Sequence, residues 1–158
     1  MDAFGLGAAK GPAWAWLTVW AVVNLVNVLQ AIGFAARPAW GMGLNHRLGF
    51  AIAALAIPAT LALVAFARSD GGWLLWVGPA VFDIFVVLML AVDYVRPVEF
   101  RSPMRPEILV PYLVLFFGAI ALMGFPMFRE NRGLWGVTAA TTVTLLASMG
   151  YAMVNGVG

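Results

Sequence analysis

The stretch "WLLWVGPAVFDIFVVLMLAV", residues 73–92, decides the fold of this chain. Asp83 is its only charged residue. An α-helix of this length, rising about 1.5 Å per residue, crosses the roughly 30 Å hydrocarbon core of a bilayer. The apolar residues follow one another without the alternation that is typical of a membrane β-strand. We therefore predict a transmembrane helix over residues 73–93.

Four further stretches have the same apolar character, and short polar segments separate them. Arg37-Pro38 predicts the end of the first helix, and Asn45 is a candidate N-cap for the second. The sequence thus predicts an all-α integral membrane protein, a five-transmembrane-helix bundle with short loops and one longer charged loop. Residues 1–158 form a single membrane domain, with helices near 14–36, 48–67, 73–93, 108–128 and 133–154.

The composition excludes several classes of function. Hydrophobic residues make up 63% of the chain and charged residues 10%, against roughly a quarter charged in soluble domains. A net charge of +2 is too small and too dispersed for a nucleic-acid surface. The absence of cysteine excludes thiol catalysis and disulfides. His46 is the single histidine, no nucleophile–base pattern is present, and we predict no catalytic residue, cofactor or metal site.

The distribution of basic residues gives a weak orientation signal. Five predicted crossings place the loops 37–47 and 94–107 on the face of the C-terminus. That face carries Arg37, Arg47, Arg96, Arg101 and Arg105, and the other carries Lys10, Arg68, Arg129 and Arg132. The positive-inside rule then predicts a cytoplasmic 94–107 loop and an external N-terminus, in a plasma (inner) membrane.

Polar side chains within the apolar stretches are the candidate binding residues. Asp83 lies near the bilayer midplane, where a carboxylate costs roughly 2.5–3.5 kcal/mol and should face protein or water. The first, third and fifth predicted helices run in the same direction, so polar side chains at matching depth predict a seam between them. The candidate ligand-binding residues of this seam are Asp83, Asn24, Asn27, Gln30 and Thr144.

These polar residues have two interpretations. They form a site for a small molecule or lipid, or they bond helices to each other. A stripe of polar residues on the fifth predicted helix also has two interpretations. Small hydroxylated residues at heptad-like spacing indicate close helix packing, or they line a shallow cavity. The stripe consists of Thr141, Thr144, Ser148, Tyr151 and Asn155.

The segment "DYVRPVEFRSPMRPE", residues 93–107, holds six charged residues and three prolines. Its intermixed charges predict a structured cap held by internal salt bridges. The alternative is a docking site for an anionic headgroup or a partner protein, formed with the neighbouring loop 37–47. The candidate residues of this second site are Arg37, His46, Arg47, Arg96, Arg101 and Arg105.

Two functions follow from these features. The first is binding or transport of a small molecule or lipid at the polar seam. The alternative is a non-catalytic structural or accessory subunit of a membrane complex, which docks through the charged 93–107 loop. The predicted partners are the lipid bilayer and either further copies of the chain or another membrane protein, and no nucleic acid.

Overall fold

The computed structural model describes residues 11–69, 72–100 and 105–156. This part of the chain is helical throughout its secondary structure and contains no strand. The helices are α1 (Ala13–Trp40), α2 (Gly43–Ala54), α3 (Ala56–Ala67), α4 (Trp73–Leu90), α5 (Pro106–Glu130) and α6 (Arg132–Val154), and a π-helical turn (Ala91–Val95) follows α4. With α2 and α3 forming one span, five helices are long and apolar enough to cross a membrane. The predicted five-helix membrane bundle is confirmed.

The five spans pack in chain order around a closed ring. The α2–α3 span lies between α1 and α4, and α5 lies between α4 and α6. The ring closes where α6 packs along α1. Short connections make sequential neighbours antiparallel, and the odd number of spans makes α1 and α6 parallel. We call the end of the bundle that carries the connection after α1, the π-helical turn and the end of α6 the cap face.

The second span is broken at Leu55, where the structure departs from the single predicted helix 48–67. Pro58 lacks the amide hydrogen that would bond to the carbonyl one turn earlier, so the helix cannot continue regularly through this turn. The Leu55 amide instead lies within reach of two carbonyls, those of Ala51 (3.3 Å) and Ile52 (3.1 Å). The span also begins earlier than predicted, at Gly43.

Two sequence predictions at the cap face are wrong. The first helix does not end at Arg37-Pro38 but continues to Trp40, because a proline in the last turn removes only one hydrogen bond. It ends at Gly41, which has φ 63° and donates its amide to the Arg37 carbonyl at 2.9 Å. Asn45 lies within α2 rather than capping it, and its side chain points towards α1.

Glycine allows the closest approach of backbones in the ring. An added Cβ at Gly78 of α4 would lie 2.9 Å from the Leu122 carbonyl carbon and the Met123 amide of α5. Phe82 and Phe85 of α4 and Met123 of α5 are buried along the same contact. This close contact between α4 and α5 keeps the third and fourth spans in register with each other.

Candidate functional site

The predicted polar residues of the first helix bond to α6. The Asn24 amide nitrogen donates to Thr138 Oγ1 at 3.0 Å and to the Trp20 carbonyl at 2.7 Å. Thr141 Oγ1 donates to Asn24 Oδ1 at 2.8 Å and accepts from the Asn27 amide at 3.1 Å. This chain of directed hydrogen bonds joins two parallel helices inside the bundle.

Burial makes this network part of the bundle interior. Asn27 has no exposed surface and Thr138 is 4% exposed. The Asn27 amide nitrogen also donates to Thr142 at 2.9 Å, whereas its carbonyl oxygen Oδ1 has no hydrogen-bond partner among the described residues. Most polar groups of the network therefore satisfy each other, and this arrangement supports the helix-packing interpretation of Asn24 and Asn27.

Asp83 lies apart from that network. Its Oδ2 is 2.9 Å from Thr60 Oγ1 on α3, and Thr60 Oγ1 is also 2.8 Å from the Ala56 carbonyl. The second carboxyl oxygen, Oδ1, is buried without a partner in the described part of the chain. The structure thus joins Asp83 to the neighbouring α3 and not to Asn24 or Thr144.

Thr144 is likewise outside the predicted seam. Its side chain is exposed, and its hydroxyl donates to the carbonyl of Ala140 in its own helix at 2.9 Å. Ser148 and Asn155 make the same kind of bond one turn back, to Thr144 and Tyr151. The face of α6 that contacts α1 instead includes Thr138 and Thr141. The single seam between the first, third and fifth spans is therefore not formed as predicted.

A cavity of about 650 Å³ opens among the helices at the cap face. Its polar lining includes Gln30 of the predicted seam, Arg37 and His46 of the predicted docking site, and Asp93 and Glu99. Its apolar lining is aromatic and methionine-rich, namely Phe34, Met42, Met89, Tyr94, Tyr112, Phe116, Phe117, Met149 and Met153. All five spans and the segment after the π-helical turn contribute residues to the cavity. No single stretch of the sequence therefore predicts it.

Arg37 is held at the cavity wall by α2. It is 6% exposed, and its guanidinium carbon lies 4.1 Å from the centre of the Phe34 ring. The surrounding donors and acceptors fix the Asn45 amide with its nitrogen donating to the Gly33 carbonyl at 2.7 Å. Its oxygen then accepts from Arg37 Nη2 at 3.0 Å and Nε at 3.2 Å. Gly33 makes this possible, since the Asn45 side chain occupies the space of a Cβ there.

The π-helical turn brings Asp93 and Tyr94 to the cavity. Single π-turns within α-helices are frequent at functional sites, because the extra residue re-aims the side chains. Asp93 Oδ2 accepts from the Tyr112 hydroxyl at 3.1 Å, and the Tyr94 hydroxyl donates to the His46 carbonyl at 2.6 Å. The Tyr94 hydroxyl fits against Gly49, where any Cβ would overlap it.

Residues 96–100 fold back over the bundle and form an ordered cap. Phe100 is fully buried, with its ring centre 5.3 Å from that of Tyr112. The Val98 amide donates to the Val92 carbonyl and the Arg105 amide to the Phe100 carbonyl, each at 2.9 Å. Aromatic burial and backbone hydrogen bonds thus hold this segment.

Of the six charged residues predicted for a salt-bridge network in the cap, four make no ion pair in the described part of the chain. Arg96, Glu99, Arg105 and Glu107 are exposed and form no ion pair within the described residues. Arg47 is exposed on α2, and Arg101 lies outside the residues that the structure describes. The described chain also contains no group of three or more His, Cys, Asp or Glu side chains that could hold a metal ion.

Comparisons with known proteins give no relative for this chain. No protein-family model, no curated protein and no solved structure matches it.

Several residues of these clusters are not among the site residues predicted from the sequence. Thr138 lies three residues before Thr141, and that spacing placed both on one helix face. Thr60 stands alone in an apolar stretch, and only the antiparallel packing of α3 on α4 brings it to Asp83. Tyr94 and Tyr112 are ordinary interfacial residues by sequence, and the sequence predicts Asn45 only as a helix N-cap.

Proposed function

We propose that this multi-pass membrane protein binds a small amphipathic molecule in the cap cavity, as a binding or transport protein. The observation that carries the proposal is the cavity itself. Its volume of about 650 Å³ falls within the roughly 300–1,000 Å³ of small-molecule sites, and such sites combine apolar walls with a few convergent polar groups. Gln30, Asp93 and Glu99 supply polar groups, and the aromatic and methionine side chains supply the apolar wall.

Ordinary bundle packing explains the rest of the predicted seam better than ligand binding does. Asn24 and Asn27 are buried and hydrogen-bonded to α6, whereas Gln30, one helical turn further along α1, lines the cavity. We therefore propose that the binding site lies near the cap face and not at the bilayer midplane. Of the five predicted seam residues, Gln30 is the one that supports it.

Ligand-dependent stabilisation of the purified protein tests this proposal. The chain reconstituted in nanodiscs is screened by thermal shift against amphipathic compounds, and hits are confirmed by native mass spectrometry. Met149→Trp places a larger side chain at the cavity wall and should abolish the shifts. Val87→Trp, on a lipid-exposed position of α4, is the matched control and should leave them intact. Shifts that survive Met149→Trp unchanged would place binding elsewhere.

A transport role adds a requirement that binding does not. The bound molecule must reach both faces, and proteoliposome uptake of a confirmed ligand measures this directly. Uptake that is absent while binding persists would restrict the function to binding.

We also propose the plasma (inner) membrane with the N-terminus outside, on the basis of the distribution of arginines between the two faces.

A second candidate function rests on the exposed charges of the cap face. Arg96 and Arg105 are exposed and form no ion pair within the described residues, which favours docking of an acidic partner by an accessory subunit. The double variant Arg96→Ala, Arg105→Ala separates the two functions. It should leave cavity binding unchanged and weaken an interaction that depends on docking.

A further inference from the structure

The polar groups that line the cap cavity divide into those already engaged and those that are free. Arg37 donates to Asn45 and packs on the Phe34 ring. Asp93 accepts from Tyr112, and Tyr94 donates to the His46 carbonyl. These groups hold the cavity wall in place and have their own partners within the protein.

Three lining side chains have no polar partner within the described part of the chain. The Gln30 amide, the His46 imidazole and the Glu99 carboxylate make no hydrogen bond or ion pair to any described residue. His46 has only ring contacts, with its centre 4.2 Å from that of Tyr94 and 5.9 Å from that of Phe50. A ligand can therefore satisfy these three groups without breaking an existing interaction.

The chemistry of the free groups favours a hydrogen-bond donor with positive charge. An ionised Glu99 is an acceptor only, and the Gln30 carbonyl oxygen and a neutral imidazole nitrogen each supply a further acceptor. An anionic ligand would meet the Glu99 charge, while the lining arginine is already bonded to Asn45. An ammonium group has three donors and no acceptor, and it matches this set.

The apolar wall suits the same ligand. Tyr94, Tyr112 and Phe116 line the cavity with aromatic rings, and the faces of such rings attract cations. Methionine side chains are flexible and polarisable, so they adapt to varied apolar shapes. Met89, Met149 and Met153 provide this kind of surface.

We infer that the ligand of the cap cavity is an amphipathic organic amine in its ammonium form, with its cationic end at Glu99 and Gln30 and its apolar part against the aromatic and methionine wall. This inference rests on the proposed function of the cavity and specifies the chemical class of its ligand. Glu99 is the specificity-determining residue, because it is the one free charge among the described lining residues.

A matched set of probes tests the ligand class. The naphthyl compounds 1-naphthylmethylamine, 1-naphthalenemethanol and 1-naphthaleneacetate share one ring system and carry a cation, a neutral hydroxyl and an anion. Equilibrium dialysis against the full chain in phosphatidylcholine nanodiscs, with empty nanodiscs subtracted, measures their binding at neutral pH. We expect the amine to bind about 2- to 5-fold more tightly than the alcohol, as for a solvent-screened charge pair.

Two variants test whether the preference for the amine depends on Glu99. Glu99→Gln should reduce the affinity of the amine about 2- to 5-fold and leave the alcohol unchanged. Glu107→Gln is the control, since Glu107 is an exposed carboxylate near the same face that does not line the cavity. It should change neither affinity.

The outcomes distinguish this inference from the proposed function. If the alcohol and the anion bind as tightly as the amine, and Met149→Trp removes all three, the cavity binds ligands and the amine preference is wrong. An amine preference that Glu99→Gln leaves intact also overturns the inference. If no probe binds above empty nanodiscs, both proposals fail.

Discussion

Asn24 of α1 and Thr138 of α6 face each other across the helix pair that closes the ring, with 3.0 Å between Nδ2 and Oγ1. They are separated by 114 positions in the chain, and so are Trp20 and Leu134, and Asn27 and Thr141. A constant separation over two helical turns requires parallel helices in a fixed register. The polar groups of the first span thus determine how the first and last spans pair.

Replacing Asn24 by Ala should destabilise the bundle by about 1–2 kcal/mol. The substitution removes hydrogen bonds to Thr138 and Thr141 inside the protein, and interhelical hydrogen bonds in membrane proteins contribute about 0.6 kcal/mol on average and up to about 1.7 kcal/mol. Titration with a denaturing detergent measures the change. Thr144→Val is the control, because that exposed hydroxyl bonds to its own helix. An equal loss in both variants would contradict a specific α1–α6 role.

Gly78→Ala should separate α4 from α5. The added methyl group would lie 2.9 Å from backbone atoms of Leu122 and Met123, which cannot rotate away as a side chain can. Overpacking of this kind costs about 1–3 kcal/mol. The same substitution at Gly136 of α6 meets no atom within 4 Å and should be neutral or stabilising, since alanine favours a helix over glycine. Thermal unfolding in detergent compares the two, and equal midpoints would refute the close contact.

Tyr94→Phe should rescue Gly49→Ala. A Cβ at Gly49 overlaps the Tyr94 hydroxyl, so Gly49→Ala alone displaces the ring from the cavity wall. Phenylalanine removes the overlapping oxygen and leaves the ring carbon Cζ at 3.1 Å, a contact that small shifts relieve. The double variant should therefore be more stable than Gly49→Ala alone, as measured by thermal unfolding. Additive losses from the two substitutions would show that the hydroxyl does not occupy that space.

The fold could be predicted because the bilayer imposes it. Stretches such as residues 73–92 must satisfy every backbone group internally in hydrocarbon, and a helix is the way a single segment does so. The exact helix ends were less predictable. Pro38 was expected to stop α1, but a proline in a last turn costs only one bond, and Gly41 supplies the actual end.

The candidate site was harder to predict. The sequence indicates how deep a residue lies in the membrane, but not which neighbouring helix its side chain faces. Asp83 and Asn24 lie at comparable depths, yet the ring order places α3 beside α4, so Thr60 is the partner of Asp83. Thr144 follows Thr138 by six residues, which at 3.6 residues per turn places it about 120° around the helix from the hydroxyl that bonds to Asn24. The cap cavity draws on residues from Gln30 to Met153, and only the closed ring brings them together.

The substitution Thr60→Val should lower the stability of the protein only when Asp83 is present. Valine removes the hydroxyl that contacts Asp83 Oδ2 at 2.9 Å and leaves both carboxyl oxygens without partners among the described residues. A polar group deprived of its partner in an apolar environment costs about 1–3 kcal/mol. In an Asp83→Leu background the same change should be nearly neutral. A double-mutant cycle measured by detergent-induced unfolding gives the coupling, and a coupling of zero would contradict the pair.

Cysteine labelling should place the two ends of α4 on opposite faces of the membrane. The chain has no native cysteine, so Trp73→Cys and Val95→Cys each introduce a single thiol, at positions 62% and 75% exposed. Neither substitution alters the charges that bias orientation. With the N-terminus outside, a membrane-impermeant maleimide added to intact cells should label Trp73→Cys at once and Val95→Cys only after permeabilisation. The reverse pattern would place the cap cavity on the external face. Labelling of both variants in intact cells would show that α4 does not span the membrane.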